Sequence, residues 1–246
     1  MSSDTRLATA DHHVSVAAAQ SRRIVIVNAG TSDPSSSRML ADRIAQKTID
    51  QLRDQGIPAS VSLIDLGPLA GEIAHAIVSG FPVGELLEAV HQLAVADGVI
   101  VATPVYKAGM SGLLKSFVDI LDNDLLVAKP LVLSATAGTS RHALVIDDQL
   151  RSLFAFMRSL TTPTSVFAAP EDWADPSLTG RIERAATELS AMIATGISAA
   201  ITGKVWSKYQ HTFGGHAQPE GVTSAINFDT DLMRLATGGA SFPTHA

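Results

Sequence analysis

The fold is decided by the stretch Asp97–Leu121, DGVIVATPVYKAGMSGLLKSFVDIL. It opens on Val99-Ile100-Val101-Ala102, an unbroken apolar run of the kind that a strand buried on both faces requires. It closes on Gly112 to Leu121, where Leu113, Leu114, Phe117, Ile120 and Leu121 recur at helical spacing along one stripe. Between them lies Thr103-Pro104-Val105-Tyr106-Lys107-Ala108-Gly109. Pro104 biases Thr103 toward an extended shape and removes one donor. Gly109 is expected to supply a left-handed backbone angle, and Ser111 stands where its hydroxyl can cap the helix. A loop so placed leaves the carboxyl end of a central strand, where open α/β sheets bind their ligands. It offers backbone N–H groups, one aromatic face and one cation, with no nucleophile–base pair and no metal ligands. That set suits a flat heteroaromatic ring better than a bond to be hydrolysed.

The chain around this stretch alternates. Ile24-Val25-Ile26-Val27 reads as a first buried strand, followed by a hydroxyl-rich loop and a long helix with Leu40, Ile44, Ile49 and Leu52 on its core stripe. Val61–Ile64 is a second strand. Gly67 to Gly84 reads as irregular with one short helix near Glu72 to Val78, and Glu85–Ala96 as a helix leading into the central strand. Downstream, Leu131–Ser134 is a fourth strand, Ala143 to Leu160 a helix, Ser165–Ala168 a fifth strand and Leu178 to Ile201 a last long helix. Five strands alternating with helices specify a parallel, three-layered α/β sheet. The expected organisation is a disordered tail over 1–21, one domain over 22–202 and a C-terminal extension over 203–246. Within that extension Phe228–Leu235 is amphipathic and is expected to pack on the core or on a partner subunit.

Composition bounds the function. With 246 residues and 46% hydrophobic content, one large core can be buried. A net charge of −6 argues against nucleic acid or an anionic membrane as partner. The absence of cysteine removes disulfides, thiol catalysis and thiolate metal sites, and suits a cytoplasmic setting. No apolar run is long enough to span a bilayer, and Met1 to Gln20 lacks the basic and apolar regions of a cleaved signal peptide. His211 and His216 have no carboxylate nearby in sequence and read as a solvated loop, so no metal site is expected. His12 and His13 are expected to be inert, Asp147-Asp148 to open a helix, and no GxSxG elbow is present.

Three loops at the carboxyl ends of strands carry the chemistry. Gly30 to Ser37 opens a helix whose N–H groups and dipole attract an anion, and Ser32, Ser35, Ser36 and Ser37 can each donate to it. Arg38 adds a charge-assisted contact. The competing reading is a polar cap and turn. The loop matches neither GxGxxG nor GxxxxGK[ST], so a monophosphate is favoured over a dinucleotide or triphosphate. The Tyr106 loop could equally be an ordinary strand-to-helix connection. The third loop, Thr136 to His142, has the small residues and hydroxyls to meet a ring's polar edge. Together they describe a mononucleotide with a flat head group.

The stretch Ala102-Thr103-Pro104-Val105-Tyr106-Lys107-Ala108, with Ser111-Gly112-Leu113-Leu114-Lys115 and Asp119, closely resembles the flavin-ring loop of NAD(P)H-dependent FMN reductases. The likeness is strongest to the members that supply alkanesulfonate-type monooxygenases. Ala135-Thr136-Ala137-Gly138-Thr139 is similar to the same family's loop after its fourth strand. Ser32 and Pro34-Ser35-Ser36-Ser37-Arg38 are similar to its phosphate loop, especially in actinobacterial-type members. Asp33 and Met110 depart from the pattern, many relatives having Arg at the first and an aromatic residue at the second. The resemblance implies a flavodoxin-like sandwich with a five-stranded parallel sheet in order 2-1-3-4-5, usually a homodimer or homotetramer.

It also implies the activity. Hydride passes from NADH or NADPH to FMN, and the protein need only stack two rings and steady the reduced flavin's negative edge. By this analogy Thr103, Pro104, Val105, Tyr106 and Lys107 border the ring, and Thr136, Ala137, Gly138 and Thr139 meet its pyrimidine edge. Ser32, Ser35, Ser36, Ser37 and Arg38 hold the phosphate, and no catalytic acid or base is expected. The reduced flavin is expected to serve a flavin-dependent monooxygenase. Alternatives on the same scaffold are a quinone- or azo-type reductase and a flavodoxin-like electron carrier; a third is a binding protein that has lost flavin. Read at the start of a helix, Met110 points either to flavin retained more firmly than in relatives with an aromatic residue there or merely to a gap filled at a dimer interface.

Overall fold

Apolar residues in unbroken runs can bury both faces of a strand only if helices cover both, and the computed structural model has that arrangement. The structure describes residues 21–205. In chain order the elements are β1 (Arg22–Asn28), α1 (Ser36–Asp54), β2 (Ala59–Asp65), α2 (Ala70–Ser79), α3 (Gly84–Ala94) and β3 (Gly98–Tyr106). There follow β4 (Gly109–Met110), α4 (Gly112–Asp119), β5 (Pro130–Thr136), α5 (Arg151–Phe156), β6 (Leu160–Thr161), β7 (Val166–Ala168), α6 (Pro176–Ala194) and α7 (Ile197–Val205).

The parallel sheet runs β2-β1-β3-β5-β6, and β7 also pairs with β5. The fifth position of the expected 2-1-3-4-5 order is thus shared by two short strands. Successive side chains alternate between two cores, as a period of two demands. Val25, Val27, Val99 and Val101 face α2, α3, α4 and α5. Ile24, Ile26, Ile100 and Ala102 face α1 and α6. The result is the three-layered, flavodoxin-like α/β sandwich that the sequence pattern implies.

Four local differences have physical causes. The helix expected over Ala143 to Leu160 is instead a 3-10 turn (Ser140–His142), a π turn (Ile146–Leu150) and α5. It stops early because Arg158 turns left-handed (φ 55°) and the Leu160 N–H donates to Lys129 O at 2.9 Å, starting β6. The helix expected over Leu178 to Ile201 divides into α6 and α7 at Gly196 (φ 62°). The segment read as mostly irregular holds the ten-residue α2. A two-residue strand, β4, pairs antiparallel with the end of β3. Of the tail expected over 1–21, residues 1–20 lie outside the described residues, as do Phe228–Leu235, His12, His13, His211 and His216.

Candidate functional site

β1, β3 and β5 are parallel and adjacent, so the loops after their carboxyl ends come together at one edge of the sheet. The first is shaped by Asn28, whose side chain accepts from the Gly30 N–H (3.1 Å) and donates to Gly30 O (3.1 Å). Gly30 is required for space: a Cβ there would lie 2.2 Å from Ser35 Oγ. Ser35 caps α1, its hydroxyl accepting from Arg38 N at 3.2 Å. The Asp33–Pro34 peptide is cis. No acidic residue stands in the first turn of α1, so the positive end of the helix dipole is uncompensated from within the helix. Arg38 N is taken by the Ser35 cap, and the N–H groups of Ser36 and Ser37 ahead of it have no helical acceptor and point toward an anion's place at the helix mouth.

The serines divide by role. Ser32 is exposed in the loop, and Ser35 and Ser36 are half-buried at the helix mouth. Ser37 is buried, and its hydroxyl pairs with Thr136 Oγ1 at 2.6 Å; Ser36 Oγ also donates to Thr136 Oγ1, at 3.3 Å. The Arg38 guanidinium turns along the helix to Asp42, 2.7 and 2.9 Å away, rather than over the loop.

The second loop is a hairpin. Thr103 has no exposed surface: its hydroxyl donates to Pro104 O (3.0 Å) and accepts from the Ser111 N–H (3.0 Å), bracing the loop from inside. Its side chain is thus engaged within the loop rather than presented at its surface. Pro104 is also buried, Val105 half-buried, and Tyr106 and Lys107 are exposed. The left-handed angles fall on Lys107 (φ 50°) and Ala108 (φ 63°), the two central residues of the turn, and not on Gly109. Gly109 instead leaves room for Gln149, whose Oε1 would lie 3.1 Å from a Cβ at that position. Met110 belongs to β4 and packs on the core beneath; it is not the first residue of α4, so the geometry gives no support to the firmer flavin retention read from it. Ser111 caps α4 as expected, accepting from Leu113 N at 3.3 Å.

In the third loop Thr136 is buried against the serines, Ala137 is half-buried, and Gly138 and Thr139 are exposed. The chain continues through Arg141, whose Nε donates to His142 Nε2 at 3.1 Å. Between this segment and the tip of the hairpin lies an open cleft of about 350 Å³ lined by Ala108, Arg141, His142, Leu144, Asp148 and Gln149, among others. Gln149 and Asn28 are the residues that sequence reasoning missed. Asn28 ends a strand and could have been suspected as a polar residue following an apolar run. Gln149 had no local signal.

The edge thus offers a hydroxyl-rich helix mouth, a hairpin carrying an exposed tyrosine, and a small-residue loop joined to the helix mouth through Thr136. These features fit an anion at one end and a planar ring at the other. A parallel sheet in this order with ligand loops after β1, β3 and β5 defines the flavodoxin-like class of proteins. Within it, residues 22–174 match the family described as NADPH-dependent FMN reductase, and the chain belongs to that family. It is 34% identical over 169 residues to the NADH-dependent FMN reductase SfnF of Pseudomonas fluorescens, spanning 69% of this chain and 88% of the relative. It is 36% identical over 151 residues to an FMN reductase (NADPH) of Pseudomonas aeruginosa, spanning 61% and 78%. A crystal structure of an oxidoreductase from Corynebacterium diphtheriae superposes with a TM-score of 0.69 at 41% identity, covering 71% of this chain and 98% of that one.

Proposed function

We propose that the chain is an NAD(P)H-dependent FMN reductase whose flavin lies along the loops after β1, β3 and β5. The observation that carries this reading is the buried Ser37–Thr136 hydroxyl pair, which holds the helix mouth and the small-residue loop as one surface. The first turn of α1, with Ser32, Ser35 and Ser36, holds the phosphate. Tyr106, Lys107 and the loop backbone border the ring, and Ala137, Gly138 and Thr139 meet its polar edge. When bound, the flavin supplies the hydride-accepting chemistry. The chain's own task is to orient the ring so that a reduced nicotinamide can approach to about 3–3.5 Å.

The two Pseudomonas relatives are named for different donors, NADH and NADPH. Both are therefore the donors to test. Resemblance of the ring loop to reductases that supply alkanesulfonate-type monooxygenases supports a flavin-dependent monooxygenase as the consumer, in the cytoplasm, with the reductase a homodimer or homotetramer. Among the described residues no single helix is long and apolar enough to cross a membrane. The test mixes the protein with excess FMN under air and each donor in turn. Loss of the reduced nicotinamide's near-ultraviolet absorbance is expected; an electron carrier would bind FMN and leave both donors unoxidised.

A further inference from the structure

The hairpin turn of the ring loop has a shape that its own residues disfavour. Lys107 (φ 50°) and Ala108 (φ 63°) occupy both central positions of a two-residue turn in which glycine or asparagine is the usual choice. Strained backbone of this sort persists only where its surroundings over-determine it, and it concentrates at ligand clamps. Two ladder positions, Val105 with Met110 and Tyr106 with Gly109, supply part of the restraint.

The remainder comes from one side chain. Gln149 Nε2 donates to Ala108 O at 3.3 Å, and Gln149 Oε1 accepts from Met110 N at 3.2 Å. A single planar amide therefore grips the turn on either side of Gly109, where any Cβ would press on it. The two bonds need a donor and an acceptor on one flat group, which a carboxylate cannot supply. Gln149 is carried by the π turn Ile146–Leu150, a widened turn of a type frequent at functional sites. That turn also forms one wall of the cleft beside the hairpin, through Asp148 and Gln149.

Building on the flavin reading above, we infer that Gln149 is a positioning residue for the flavin ring. Its amide holds the Lys107–Ala108 turn in the shape that presents the loop to the ring, and it touches neither phosphate nor reacting atoms. It acts at the ring end of the ligand alone. Loosening it therefore weakens riboflavin and FMN by the same factor.

The experiment compares the full chain with Gln149→Met, which keeps length and loses both bonds, and with Gln149→Glu, which keeps the acceptor and loses the donor. Hydrogen exchange over residues 106–111, read without flavin, is expected to quicken at least threefold in both variants. Dissociation constants for FMN and riboflavin, from quenching of flavin fluorescence, are expected to rise three- to tenfold by a common factor while the melting temperature stays near that of the parent. Variants that bind both flavins as the parent does overturn the inference, even if exchange quickens. A loss confined to FMN overturns it too, since the residue would then act at the phosphate end. A parent that binds neither flavin overturns the flavin reading itself and the role assigned here with it.

Discussion

Ser37 Oγ and Thr136 Oγ1 lie 2.6 Å apart with both residues buried, a hydrogen bond between side chains 99 positions apart. It fastens the first turn of α1 to the carboxyl end of β5. Two loops that would otherwise move independently become one surface, with half-buried Ser36 at the helix mouth beside the pair.

This division of labour predicts different outcomes for adjacent serines. Ser36→Ala should weaken FMN by about 0.5–1.5 kcal/mol, the usual net value of one hydrogen bond, and leave riboflavin binding unchanged. Ser37→Ala leaves Thr136 with a poorer partner in a buried site and should cost about 1–3 kcal/mol of folding stability. It should also weaken both flavins alike. Titrations with the two ligands and denaturant unfolding of each variant make the comparison. Selective loss of FMN in Ser37→Ala would mean that its hydroxyl reaches the phosphate directly.

The hairpin gives the second prediction. Ala108 is left-handed, which costs a residue with Cβ roughly 1–2 kcal/mol, while glycine returns about 0.5–1 kcal/mol of that through greater freedom in the unfolded chain. Ala108→Gly should therefore raise stability slightly, by about 0.5–1 kcal/mol. Gly109→Ala has no such strain to add, because Gly109 is not left-handed; its Cβ would instead push Gln149 aside. Thermal unfolding of both variants is the check, and destabilisation by Ala108→Gly would show that the turn is not strained.

The same hairpin shows what the sequence could and could not tell. Val99 to Ala102 announced a buried central strand because four consecutive apolar residues have no other economical place in an alternating chain. Ser111 announced its cap because N-capping is a bond across two residues. The hydroxyls of the first loop were visible as a group, yet Ser37 was indistinguishable from Ser36 until Thr136 was brought against it. Gln149 reaches Ala108 across 41 residues, and a glutamine in a stretch that reads as ordinary helix carries no mark of such a partner. Placing the left-handed angle on Gly109 followed residue propensity; the β3–β4 pairing and Gln149 shifted it to Lys107 and Ala108 instead.

At the opposite end of the sheet, Lys129 predicts a pH dependence. It is buried, and its ammonium donates to Ala96 O (2.7 Å) and Ala94 O (3.0 Å). Burial lowers its pKa to about 8, with Asp97 opposing the shift and Arg23 adding to it. The folded value is below the unfolded one, so the unfolded chain holds the proton more tightly. The cost of burying the charge is present in full below about pH 8 and is relieved as pH rises toward the free-lysine value of about 10.4. Stability from this group therefore rises with pH across that window. Relative to Lys129→Met, the parent should gain up to about 2 kcal/mol between roughly pH 7.5 and 9.5. Parallel stability curves for the two proteins would contradict the shift.

The last prediction concerns the cation beside the serine-rich loop that opens α1. Arg38 follows the serines directly, yet its guanidinium is bound to the Asp42 carboxylate one turn along α1, with both side chains substantially exposed. An exposed pair at this spacing is worth only about 0.3–0.5 kcal/mol, so little energy holds Arg38 away from the helix mouth. Removing the carboxylate should release it toward a bound dianion, where a charge-assisted contact is stronger than a neutral one. Asp42→Asn should accordingly tighten FMN by about 0.5–1.5 kcal/mol, with little change in folding stability. Riboflavin, which has no phosphate, should bind as before. The gain should also shrink as salt is added, because the new contact would lie near solvent. Equal tightening of both flavins would point to an effect of net charge or loop shape. No change in either would mean that Arg38 cannot reach the phosphate even when free, leaving the helix N-terminus and the serine hydroxyls to hold it.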